Sequence, residues 1–135
     1  MSLDAFLCFD GDCRKALEFY AEAFNQKMPD QIMTYGQAPE GSPGIDNDRI
    51  IYACMPVFGQ NLMFCDCPNG AAYSRGNNIM LTIGLGDVKE MKRIFEALSK
   101  DGEVCMPLEK TFFSELFGQV TDRFGIIWQL SKTPV

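Results

Sequence analysis

The chain has 135 residues, of which 47% are hydrophobic and 22% charged, with a net charge of −6. That length fits one compact domain able to bury roughly two-thirds of its unfolded surface. The acid excess, with Lys and Arg scattered, argues against nucleic-acid and anionic-membrane partners, and no apolar run approaches the ~20 residues of a membrane span.

Ala5–Phe9 is a short apolar run that reads as a strand. Asp10-Gly11-Asp12 turns the chain, and Asp12 is expected to cap the helix that follows. Cys13–Phe24 places Ala16, Leu17, Tyr20, Ala23 and Phe24 on one stripe, the pattern of an amphipathic helix. Gln31–Tyr35 reads as a strand, and Gly36–Asp48, rich in Gly, Pro and acidic residues, as a loop. Arg49–Met55 and Asn61–Cys65 form a hairpin turning near Phe58-Gly59, and Asp66–Asn78 is a polar loop. Ile79–Leu85 is a further strand, Asp87 a second cap, and Val88–Lys100 a helix stopped at Asp101-Gly102. Glu103–Leu108 is a strand whose Pro107 places it at an edge or a strand end. Glu109–Leu116 is a loop holding Phe112 and Phe113, and Phe117–Thr121 with Ile126–Leu130 closes the chain as a hairpin.

The order is β-α-β-β-β twice, an α+β pattern. Val57-Phe58-Gly59 precedes Gln60–Cys65 as Arg123-Phe124-Gly125 precedes Ile126–Ser131, which sets Leu62 under Trp128, Met63 under Gln129 and Phe64 under Leu130. Gly11-Asp12 and Gly86-Asp87 open the two helices, which sets Ala5 under Met80; the two registers differ by an indel. Two such units can set their strands side by side with both helices outside, leaving a half-open trough of the kind ligands favour. In the last strand Ile127 and Gln129 share one face, and Trp128 and Leu130 the other. A lone amide on an apolar strand needs a hydrogen-bond partner or a ligand, and both readings stand.

The opening MSLDAFLCFDG has no basic n-region, so the expected location is the cytoplasm, with the cysteines at 8, 13, 54, 65, 67 and 105 reduced. There is no histidine, which removes Ser-His-Asp and Cys-His catalysis and the commonest zinc ligand. Cys65-Asp66-Cys67 places two thiols on one face if the strand continues, too few for a structural metal site. Gly84-Leu85-Gly86-Asp87 is a weak dinucleotide signal, Lys110 either meets an anion or is solvated, and Asp66 and Glu109 are the acid-base candidates without a fixed place.

Phe9–Phe24, Met33–Pro39, Leu62–Pro68, Gly76–Val88, Met106–Gly118 and Thr121–Leu130 together resemble the vicinal oxygen chelate superfamily, the glyoxalase/bleomycin-resistance fold, in its PhnB-like branch. The resemblance implies a single domain over 1–135, with module one at about 1–68 and module two at about 76–132. The two modules would form a curved mixed sheet with helices on the convex face, completed by homodimerisation. Its metal-using members supply four ligands from strands lining the trough, and the matching positions here are Ala5, Met63, Met80 and Gln129. Three of these have no oxygen or nitrogen to offer, so the expectation is a trough with no metal and no cofactor. Met63, Met80, Leu7, Ile127 and Met33 or Tyr35 would line it softly, with Gln129 as polar anchor, unless the methionines simply fill the core. Tyr35 and the Phe112–Phe113 loop would cover its mouth or else pack in a loop or dimer contact. The expected function is binding of a small apolar or amphipathic molecule; the alternative is a lyase, isomerase or dioxygenase of the same superfamily, possibly metal-dependent. The branch often carries a 3-demethylubiquinone-9 3-methyltransferase label. That label fits this strand order poorly, because an S-adenosylmethionine site resembles an alternating α/β sheet with a Gly-rich first turn.

Overall fold

The computed structural model describes residues 1–38 and 44–133, so positions 39–43 of the expected Gly36–Asp48 loop, with Pro39 of the resemblance, lie outside the described residues. The chain divides into two compact units, Met1–Ser74 and Arg75–Val135.

The first unit runs β1 (Ala5–Phe9), α1 (Cys13–Ala23), β2 (Ile32–Thr34), a 3-10 turn (Tyr35–Gln37), β3 (Ile50–Val57) and β4 (Gln60–Asp66). Its sheet has the order β1-β4-β3-β2, with β1 parallel to β4 and the other pairs antiparallel. Burial alternates along the strands. Leu7, Phe9, Ala53, Met55, Leu62 and Phe64 are buried, and Phe6 and Tyr52 point to the other face. Helix α1 closes the buried face with Cys13, Ala16, Leu17 and Tyr20, and Tyr20 stacks on Phe64 at 5.9 Å. Each large apolar side chain buried this way contributes about 1.5–3 kcal/mol. The β3–β4 hairpin turns through Phe58 (φ 51°) and Gly59 (φ 81°), the doubly left-handed geometry that suits a two-residue connection.

The second unit repeats the plan: β5 (Leu81–Leu85), α2 (Val88–Ser99), β6 (Glu103–Glu109), β7 (Phe117–Thr121) and β8 (Ile127–Lys132), in the sheet order β5-β8-β7-β6. Pro107 lies in β6, the edge strand, where its missing N–H is tolerated. Met91, Ile94, Phe95 and Leu98 of α2 face the side of the sheet that holds Ile83, Val120, Trp128 and Leu130. Gly118 permits that approach, since a Cβ there would stand 2.8 Å from both Phe95 and Leu108.

Two buried carboxylates tie the units internally. Asp66, 2% exposed at the end of β4, accepts from the main-chain N–H groups of Gly11 (2.8 Å), Cys13 (3.1 Å) and Ile50 (3.0 Å). It takes over the capping expected of Asp12, whose side chain makes no capping bond because its backbone (φ −97°, ψ 6°) is not extended. In the second unit Asp87 caps α2 as expected, accepting from Lys89 and Glu90 N–H. Asp122, 3% exposed, accepts from Phe124 N–H (2.8 Å), Ile126 N–H (3.1 Å) and the Trp128 indole N–H (2.8 Å), and so holds the β7–β8 turn.

Expected boundaries shift at β2 and β5. Tyr35 belongs to the 3-10 turn rather than to β2, and Ile79 and Met80 precede β5 rather than forming part of it. The two strand-to-helix connections also differ in length: Asp10-Gly11-Asp12 joins β1 to α1, and only Gly86-Asp87 joins β5 to α2. Aligning the units on those turns slips the first strands by one residue. The observed registers place Ala5 opposite Leu62 and Leu81 opposite Trp128, so the structural counterpart of Ala5 is Leu81, not Met80.

Candidate functional site

A one-residue slip in a strand moves every side chain to the opposite face. Ala5 and Leu7 therefore lie on the face covered by α1, with Leu7 8% exposed in the core, and neither stands beside Met63. The residue that does stand beside Met63 on the helix-free face of the first unit is Phe6, with Cys54 on the other side. Phe6 meets the edge of Tyr52 at 6.1 Å, and Met33 pairs with Tyr52 beyond it. Further along the same face Cys8 sits opposite Cys65. Tyr35 closes this end: its hydroxyl donates to the Asp66 carbonyl at 3.1 Å. Burial raises the Tyr35 phenol above its ordinary value, and the neighbouring Cys65, Cys67 and Cys8 add to the shift. Burial, followed by the hydrogen bond with Cys8, pushes the Cys65 thiol up to about 12.

Cys65 and Cys67 are not a matched pair. Strand β4 ends at Asp66, and the Cys67 thiol turns to Asp10 Oδ1 at 3.5 Å. Asp10 also accepts from Arg49 at 2.8 Å, and that bond holds its carboxyl below the usual range.

The helix-free face of the second unit is organised by Gln129. The Thr82 hydroxyl donates to Gln129 Oε1 at 3.0 Å, and Gln129 Nε2 donates to Gln119 Oε1 and to Met80 Sδ, each at 3.2 Å. Strand registers explain the row: Thr82 and Gln119 are the direct neighbours of Gln129 on β5 and β7. The lone amide thus finds protein partners, and Met80 does meet Gln129, though from the segment before β5. Ile127 shares this face, half-buried, opposite Thr121. Among the described residues, Gln119 is bonded through Oε1, which leaves its own amide N–H groups for another partner. Phe112 stands apart, fully exposed, with its ring against Phe113 at 5.2 Å, which in turn meets Phe117 at 5.0 Å. Gln119, Thr82, Phe6 and Cys8 were missed from sequence. Counting back from the Phe124-Gly125 turn would have found Gln119, whereas Phe6 and Thr82 needed the true length of the first turns.

These registers make Phe6, Met63, Thr82 and Gln129 the structurally equivalent positions of the two units. Their donors are a thioether, a hydroxyl and an amide, the last two already hydrogen-bonded to each other, with no carboxylate or imidazole. Neither unit's pair supplies the three or four oxygen, nitrogen or thiolate ligands that a divalent ion needs. Among the described residues no three His, Cys, Asp or Glu side chains are placed to hold a metal. Asp66 accepts from three main-chain N–H groups on the helix side, and Glu109, opposite Phe117 on the edge strand β6, shares the helix-free face with Gln119 but lies two residues along β7 from it. No helix of the described residues is long and apolar enough to cross a membrane.

The chain is 29% identical to the protein YjdN of Escherichia coli K12, over 97% of this chain and 95% of that one. It superposes on the crystal structure of protein PA1353 from Pseudomonas aeruginosa with a TM-score of 0.87 and 29% identity, covering 98% and 97% of the two chains. A Bacillus cereus PhnB protein, described as a putative 3-demethylubiquinone-9 3-methyltransferase, gives a TM-score of 0.83 at 28% identity, covering 98% of this chain and 100% of that one. A glyoxalase-related enzyme from Fulvimarina pelagi, at 20% identity and a TM-score of 0.63, shares the fold. The family described as 3-demethylubiquinone-9 3-methyltransferase matches residues 2–131, and the chain belongs to it, as a PhnB-like protein with the vicinal oxygen chelate fold.

Proposed function

We propose that this protein binds a small apolar or amphipathic molecule on the helix-free faces of its sheets, with Gln129 and Gln119 as the polar anchor and no divalent cation at the superfamily positions. The observation that carries the reading is the Thr82–Gln129–Gln119 row, a fixed polar strip that still offers the Gln119 amide N–H groups. Met80 lies softly against the strip, and the first unit's own helix-free face carries Phe6, Met63, Tyr52 and Met33. Methionine and aromatic linings adapt to varied apolar ligands, while a few oriented amides select their polar ends. Catalysis is the weaker reading, because the central strands offer no carboxylate or imidazole on these faces as acid or base. The reading includes a cytoplasmic homodimer.

A thermal-shift screen of hydrophobic metabolites and antibiotics tests it. A ligand at a hundred times its Kd adds about 2.7 kcal/mol of native-state stability. Gln129→Ala is expected to weaken the best hit about tenfold, equal to about 1.4 kcal/mol. A hit that binds the variant as well as the parent removes the anchor role.

A further inference from the structure

Cys8 and Cys65 sit directly opposite each other on the adjacent parallel strands β1 and β4, on the face free of helix. Cys8 is exposed and Cys65 half-buried, so one side of the pair is open to solvent. Cys54 and Met63, paired in the next row of the same face, surround it with further sulfur. Tyr35 shields one flank. Neighbouring strands lie about 4.7–4.9 Å apart, and side chains in register leave them nearly in parallel. Two thiolates on directly opposed residues of neighbouring strands, side chains on one face, can converge on one ion between them. Soft thiolate and thioether donors select monovalent copper over the hard divalent cations.

We propose that Cys8 and Cys65 form a two-coordinate site for a soft monovalent cation of the Cu(I) class. Its two ligands, Cys8 and Cys65, are not among the Phe6, Met63, Thr82 and Gln129 positions, and they lie two residues along the strands from Phe6 and Met63. Binding is a ligand exchange without a redox step. Each thiol gives its proton to solvent, each sulfur donates an electron pair to the ion, and the ion keeps its oxidation state. Because two protons leave, affinity rises with pH.

The test is anaerobic titration of the reduced full chain with Cu(I) in competition with a bathocuproine disulfonate chelator, read by the chelator's absorbance and by X-ray absorption. The expected result is one ion per chain with two sulfur neighbours. Cys8→Ser and Cys65→Ser should each lower the affinity about a hundredfold or more, while Cys67→Ser and Cys105→Ser leave it unchanged. Cys8→Ala serves beside Cys8→Ser, since an exposed position tolerates both, and circular dichroism checks that each variant is folded. Unchanged affinity in folded Cys8→Ser, copper spread over several cysteines, or a Cys8–Cys65 disulfide in place of bound ion would each overturn the proposal.

Discussion

Asp66 and Asp122 are charged residues in apolar surroundings, and each accepts from three N–H donors. Removing the acceptor strands the donors, each costing about 1–3 kcal/mol when buried. Asp66→Ala is therefore expected to lose about 3–5 kcal/mol in urea unfolding, with Asp66→Asn in between; a loss under about 1 kcal/mol would mean water replaces the carboxylate. Asp10 makes a different kind of bond. The Arg49 guanidinium, then the Cys67 thiol, lowers its carboxyl below the ordinary 3.8. A depressed carboxyl adds stability that is present above its ordinary value and lost as pH falls through the depressed one. An NMR titration should find the Asp10 midpoint below 3.8 and Arg49→Gln should raise it; a midpoint at or above 3.8 in the parent contradicts the pairing.

At the scale of elements, the two helices begin alike in sequence and differently in structure. Asp87→Ala should cost about 1 kcal/mol, because that side chain caps α2. Asp12→Ala should stay within about 0.5 kcal/mol, because Asp66 has taken its role. Equal losses in the two variants, measured by urea unfolding, would contradict this division. The strands, helices and hairpins were legible because their periodicities and the Phe58-Gly59 and Phe124-Gly125 turns are local signals. The pairing of Met63 with Gln129 follows from those turns and agrees with the observed registers. The placing of Ala5 and Leu7 failed for a physical reason: the extra residue in Asp10-Gly11-Asp12 is silent in composition but inverts the strand's faces. Asp66 was equally hidden, since a cap supplied from 53 residues away leaves no local pattern.

For the whole molecule, family membership fixes the fold, and the faces of the two sheets set the chemistry. Twice-repeated β-α-β-β-β units lack the alternating βα order and Gly-rich first turn of a nucleotide-type site. Isothermal titration is accordingly expected to detect no S-adenosylmethionine binding, and a micromolar Kd would restore the methyltransferase reading. We propose that the Thr82–Gln129–Gln119 row holds a ligand without a divalent ion. The most direct test is the affinity of the best screened ligand for the EDTA-treated protein, measured by isothermal titration beside the Gln129→Ala variant. The same affinity is expected before and after chelation, with a loss of about tenfold in the variant. Binding that vanishes with EDTA and returns with a divalent metal would contradict it.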